Sequence, residues 1–296
     1  MPRPEAPSAA GTETLWQFEA IGTWWEIDTD APVSDDTRAR VLLRIEDVER
    51  TWSRFRGDSV VSRAAREGGA WTLDATADRL LSFYSELYDV SGGAVNPLVG
   101  RTLSDLGYDA DYSLQPSDDV ATVPPWDVID WRPPVLSLRE PVLIDVGAAG
   151  KGFLVDLVAA EVAAEHRYFA VDASGDVLHR GEWPVRIALQ DPRDQAKAVG
   201  IVEIGSGRAL GASAVDRRAW GDGLHHVLDG RTGEPTGDVV ATWVVARDAM
   251  LADGLATALF FVEPEVVTER WDVEWAVMRH DGSVRWSRDL AVEMFT

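Results

Sequence analysis

Apolar positions divide the chain into stretches of two periods. From Trp16 to Asp28, aromatic and β-branched residues predict a strand broken only at Gly22. Ser34 or Asp35 begins a helix to about Trp52, with Val41, Leu42, Ile45 and Val48 on one face. Phe55 to Ser59 reads as a turn, and Asp78 to Val90 as an amphipathic helix ended by Ser91-Gly92-Gly93. A short helix over Val99–Leu106 precedes a loop from Asp109 to Pro125. Val135–Val146 is strand-like, Lys151–His166 helical, and Tyr168–Asp172 a strand ending in Ser174-Gly175-Asp176. Short strands follow at Val185–Leu189, Ile201–Ile204, His225–Leu228 and Val239–Ala246, then a helix over Met250–Phe261 and a strand at Trp275–Met278. This irregular interleaving predicts an α+β fold of mixed or antiparallel sheets packed with helices, one two-lobed unit over residues 15–296. Met1–Thr14 is polar and reads as a disordered tail.

Composition narrows the function. A net charge of -22 argues against nucleic acid and anionic membranes as partners. The absence of cysteine removes disulfides, thiolate metal sites and cysteine nucleophiles. No apolar run reaches the roughly 20 residues that span a bilayer. With no signal peptide in the first residues, a cytoplasmic location is expected.

Three segments carry candidate chemistry. Asp145-Val146-Gly147-Ala148-Ala149-Gly150-Lys151-Gly152 lies between a strand and a helix and holds one of only two lysines, the other being Lys197. Small residues, a helix N-terminus and an ammonium group suit a phosphate. A close packing turn with a surface lysine is the alternative. Asp253 and Thr257 share a helix face and make a hard-oxygen pair suited to Mg²⁺. The alternative is an exposed Asp and a Thr bonded to its own helix. His225 and His226 face opposite sides of a strand, so they do not readily chelate one ion. One suits a general base and the other a structural bond; both serving local hydrogen bonds is the alternative.

In order and spacing, these segments resemble the FAD:protein FMN transferase (ApbE) family from about Ile21 to Val262. The matching residues are Asp145, Gly147, Lys151, Gly152 and Asp156; His225, His226, Asp229, Thr232, Gly233 and Pro235; and Ala252 to Ala258. Weaker marks include Gly93 to Pro97 and Gly175-Asp176. The resemblance implies FAD contacts at Ile21, Phe55, Ala94, Val95, Asn96, Asp145, Lys151 and Val227. It implies Mg²⁺ held by the Ala148 carbonyl, Asp253 and Thr257. It also implies cleavage of the FAD pyrophosphate, transfer of FMN to a Thr or Ser of an acceptor flavoprotein with a Ser/Thr-Gly-Ala-Ser/Thr motif, and release of AMP. Catalytic roles then fall to Asp253 and Lys151, with His226 as the candidate base. The family usually has Asp where Asn96 stands and Thr-Ser-Gly where Ala212-Ser213-Ala214 stands. A Mg²⁺-dependent FAD pyrophosphatase and a non-catalytic FAD-binding protein are the alternatives.

Overall fold

A computed structural model describes residues 14–295. The expected tail lies outside the described residues except for Thr14, whose carbonyl accepts hydrogen bonds from Thr29. The first predicted strand is a hairpin, Leu15–Ala20 paired with Thr23–Thr29. Its two-residue turn, Ile21-Gly22, has φ of 48° and 70°. Positive φ at both central positions matches the right-handed twist of the strands.

That hairpin begins an eight-stranded antiparallel sheet whose spatial order is its chain order. Its other strands are Phe169–Asp172, Val177–Arg180, Arg208–Ala214, Val239–Ala246, Glu274–Arg279 and Val284–Trp286. Successive side chains face opposite sides of a strand. Ala241, Trp243 and Val245 enter a core shared with Leu189, Val202 and Ile204 of a three-stranded sheet. Val244 and Ala246 face the other way, into the main core with Leu255 and Phe153. The large sheet therefore lies between a small sheet and a helical layer.

The helices are α1 (Asp35–Trp52), α2 (Val60–Glu67), α3 (Ala77–Val90), α4 (Gly100–Asp105), α5 (Gly150–Ala163), α6 (Ala249–Ala258) and α7 (Pro264–Thr268). Ser34 caps α1 through Thr37 N–H at 3.2 Å. Val41 and Ile45 are buried as expected, but Leu42 is 49 % exposed and lies off the buried face. Helix α2 follows the Phe55–Ser59 turn, with Ser59 accepting from Ser62 N–H. The strand expected over Val135–Val146 stops at Leu138. Pro141 has no N–H for a ladder, and the segment runs on irregularly to deliver Asp145. None of the described helices is long and apolar enough to cross a membrane.

Helices α5 and α6 touch at backbone distance. A Cβ at Gly152 would lie 2.1 Å from the Ala249 carbonyl oxygen. One at Gly211 would lie 2.4 Å from the Ala252 carbonyl carbon, so α6 also sits directly on the sheet. The motif residue Asp156 belongs to this packing: its carboxylate accepts from Ala249 N–H at 2.8 Å and Met250 N–H at 3.1 Å. It thereby caps α6 from α5.

Candidate active site

The close approach of α5 and α6 buries Asp253, which is 3 % exposed. Its Oδ2 accepts from Gly152 N–H at 2.8 Å. The carboxyl also lies within hydrogen-bonding reach of Asp176, whose residue is fully buried at the start of Val177–Arg180. Burial, then the neighbouring Asp176 charge, pushes the Asp253 pKa well above the carboxylate range, against the opposing pull of Lys151 and Gly152 N–H. Lys151 Nζ pairs with Asp176 Oδ2 at 2.6 Å and donates to the Ala173 carbonyl at 3.2 Å. The motif lysine is thus tied into a buried acidic pair, not set on the surface.

Thr257 lies one turn beyond Asp253. Its hydroxyl is 3.3 Å from the Ala148 carbonyl oxygen and 3.5 Å from Ser213 Oγ. The three oxygen donors implied by the resemblance therefore converge, with Asp176 and Ser213 beside them. Among the described residues no cluster of three or more His, Asp or Glu side chains could hold a metal. The set is mixed: a carboxylate, a hydroxyl and a carbonyl next to a second carboxylate. Hard oxygens suit Mg²⁺, which usually keeps water or phosphate as its other ligands. Two buried acids share one lysine, so a cation could take the place of the proton that burial favours on Asp253. The residues fit the ion.

One expectation needs correction. The N-terminus of α5 does not offer a row of free amides. Gly147 N–H donates to Asp145, Ala148 and Ala149 N–H to the Tyr84 hydroxyl, Gly150 N–H to the Val146 carbonyl, and Gly152 N–H to Asp253. A phosphate here must rely on Lys151 and a cation. Tyr84 is fully buried, and burial followed by the charges of Asp145 and Asp253 pushes its pKa up.

Several of the expected FAD contacts are joined to one another by direct bonds or packing. Asp145 N–H donates to the Pro97 carbonyl at 2.7 Å, and Gly230 N–H to the Ala94 carbonyl at 2.8 Å. Asp145 is ion-paired with Arg54, whose guanidinium lies 4.3 Å from the Phe55 ring centroid. Tyr112 stacks on Phe55 at 5.3 Å, and a Cβ at Gly22, next to Ile21, would lie 3.9 Å from the Tyr112 hydroxyl. Some of these side chains are already committed. Val95 and Val227 belong to the main core. Asn96 caps a turn through Leu98 N–H and donates to the Pro124 carbonyl, both at 2.9 Å. An aspartate could not make the second bond, which accounts for the amide at this position.

The histidine pair separates into two roles. His225 Nε2 lies 2.8 Å from the Thr236 carbonyl, and Nδ1 accepts from Val227 N–H. It is a structural residue. His226 Nδ1 is buried with no hydrogen-bond partner among the described residues. Burial, then the charges of Arg218 and His225, lowers its pKa to about 4. It is therefore neutral at pH 7. An unfolded histidine takes its proton near 6.5, so this group favours folding above that pH, and its contribution is lost as pH falls toward 4. Between pH 7.5 and 5, urea unfolding of the wild type should lose about 2 kcal/mol more than His226→Gln. Parallel losses in the two proteins would remove the assignment.

Sequence reasoning marked Asp176 only as a weak family position, without a role, and missed Tyr84 and Arg54. The signal for Asp176 was a carboxylate between a Ser-Gly turn and an apolar strand. Trp220 is a core residue that donates to the Leu106 carbonyl at 2.9 Å.

Comparison with known proteins gives a consistent picture. The pattern of the ApbE family matches residues 21–275. A FAD:protein FMN transferase of Rhodobacter capsulatus is 30 % identical over 274 residues, covering 86 % of this chain and 52 % of that protein. The chain thus spans about half the length of that relative. A FAD:protein FMN transferase of Vibrio cholerae is 28 % identical over 241 residues, 75 % of this chain and 72 % of the relative. Among solved structures, the ApbE protein of Thermotoga maritima superimposes with a TM-score of 0.80 at 22 % identity, over 93 % of this chain and 96 % of that one. The apo flavinyl transferase ApbE of Pseudomonas stutzeri gives 0.76 at 20 % identity, over 93 % and 94 %. These likenesses show a shared α+β fold.

Proposed function

The chain belongs to the ApbE family, and from that premise we propose that it is a magnesium-dependent FAD:protein FMN transferase. The observation that carries this reading is the convergence of Lys151, Asp176, Asp253, Thr257 and the Ala148 carbonyl where α5, α6 and the large sheet meet. Storage of a flavin does not require such a cluster on the pyrophosphate.

In this reading Asp253, Thr257 and the Ala148 carbonyl hold Mg²⁺. The ion supplies charge withdrawal from the phosphoryl oxygens when it is bound. Lys151, fixed by Asp176 and Ala173, stabilises negative charge developing on the same oxygens. FAD lies along Ile21, Phe55, Ala94 to Asn96, Asp145 and Val227, with Ala94 to Asn96 contributing backbone. The acceptor is a flavoprotein presenting Ser/Thr-Gly-Ala-Ser/Thr. Its hydroxyl oxygen bonds to the FMN phosphorus, the pyrophosphate P–O bond breaks, and AMP departs. The hydroxyl proton passes to His226 Nδ1, which is neutral and unpartnered before reaction.

Purified protein mixed with FAD and Mg²⁺, with and without a fragment carrying the acceptor motif, tests this. The expected outcome is AMP release together with a fragment heavier by one FMN, both dependent on magnesium. AMP without labelled fragment would assign hydrolysis with water as acceptor. Intact bound FAD in both mixtures would assign a binding protein.

A further inference from the structure

A second group of polar side chains surrounds Tyr108 and belongs to neither the acidic pair nor the lysine. Arg54 lies over the Tyr108 ring at 4.7 Å and Arg218 at 5.4 Å. Both the Arg54 Nη2 and the Tyr108 hydroxyl are buried without a hydrogen-bond partner among the described residues. The Arg54 side chain is only 2 % exposed. Arg218 is half-buried, and its guanidinium makes no hydrogen bond or ion pair among the described residues. Burial and then the Arg54 charge lower its pKa, with no carboxylate acting the other way.

This is unusual in a chain with 50 acidic and 28 basic residues, where most arginines can find an acid. The nearby carboxylate, Asp145, is already bonded to Arg54 and Gly147 N–H. Buried polar groups without partners are costly and mark places where something else binds. Guanidinium groups only donate, and the tyrosine hydroxyl can donate. What they lack is an acceptor. Phe55, whose ring lies against Arg54 and stacks on Tyr112, puts apolar surface beside them.

We propose that Arg218, Arg54 Nη2 and the Tyr108 hydroxyl form an acceptor-oxygen subsite that takes an electron-rich group of the flavin nucleotide. The inference rests on the transferase reading and adds a specificity element to it. Two groups of the ligand have this chemistry: the dioxopyrimidine edge of the ring system and a phosphoryl oxygen.

Flavin fluorescence titrations with riboflavin, FMN and FAD, in magnesium, separate the sources. Arg218→Met should bind FAD roughly 10- to 100-fold more weakly, the loss of one charge-assisted hydrogen bond. Weakening of all three ligands would identify the dioxopyrimidine edge. Weakening of FMN and FAD with riboflavin unchanged would identify a phosphoryl oxygen. Arg218→Lys should recover part of the loss. Tyr108→Phe removes a single oxygen and should weaken the same ligands by roughly 3- to 10-fold; it carries the test if Arg218→Met does not fold. Wild-type affinity in Tyr108→Phe and in folded Arg218→Met, for all three ligands, overturns the subsite while leaving the transferase reading standing. A wild type that binds no flavin overturns both.

Discussion

Asp253→Asn is expected to lose roughly a thousandfold or more of FMN transfer while unfolding about 2–4 °C above wild type in magnesium-free buffer. The two effects have one cause. Asp253 and Asp176 are buried together with Lys151 as their shared cation, and Asp253 is pushed up by burial and by Asp176. An asparagine keeps the acceptor for Gly152 N–H and can donate its amide to Asp176, so the repulsion is removed. In the proposed reading it also removes the charge that would bind Mg²⁺. Magnesium should therefore raise the melting temperature of the wild type and leave the variant unmoved. Scanning calorimetry with and without magnesium, beside the AMP assay, checks both halves. A variant that melts well below wild type without magnesium would make Asp253 a structural residue, and one that retains activity would remove it from catalysis.

Gly152→Ala is expected to be the most destabilising of the small changes, by more than about 3 kcal/mol. The added methyl would stand 2.1 Å from the Ala249 carbonyl oxygen, 2.6 Å from its carbon and 2.7 Å from Asp253 Cβ. Two of these atoms are backbone, so no rotamer change relieves the clash, and α5 must separate from α6. The same separation would carry Asp253 and Thr257 away from Ala148, so the magnesium-induced rise in melting temperature should vanish with the stability. Gly205→Ala is the control, because a Cβ there meets nothing within 4 Å and φ is not positive. It should change stability by about 0.5 kcal/mol or less. Urea unfolding of the two variants compares them directly, and similar midpoints would show that the helices have room to move.

Legibility from the sequence depended on whether the cause of a feature was local. Helix α1 has its cap at Ser34 and its apolar repeat within one segment, so pattern and structure agree. The motif around Lys151 and the Asp253–Thr257 pair were also visible, because a lysine among small residues and an i, i+4 oxygen pair are local signatures. Arg208–Ala214 was not visible as a strand. Its small residues carry little β preference, and they are small because α6 lies directly on them, as Gly211 against Ala252 shows. Leu42 fits the apolar stripe of α1 and is nevertheless exposed, since burial depends on where α5 packs.

The sequence by itself determined the α+β class, the main helices, the family motifs and the candidate oxygen and lysine groups, because these follow from periodicity and residue chemistry along the chain. Tertiary structure alone decided that Asp176 joins Asp253, that the α5 amides are spent on protein acceptors, and that His225 is structural while His226 is unpartnered. Asp176 and Asp253 are far apart in the chain. Their proximity, burial and raised pKa arise only when glycines let two helices and a sheet approach to backbone contact.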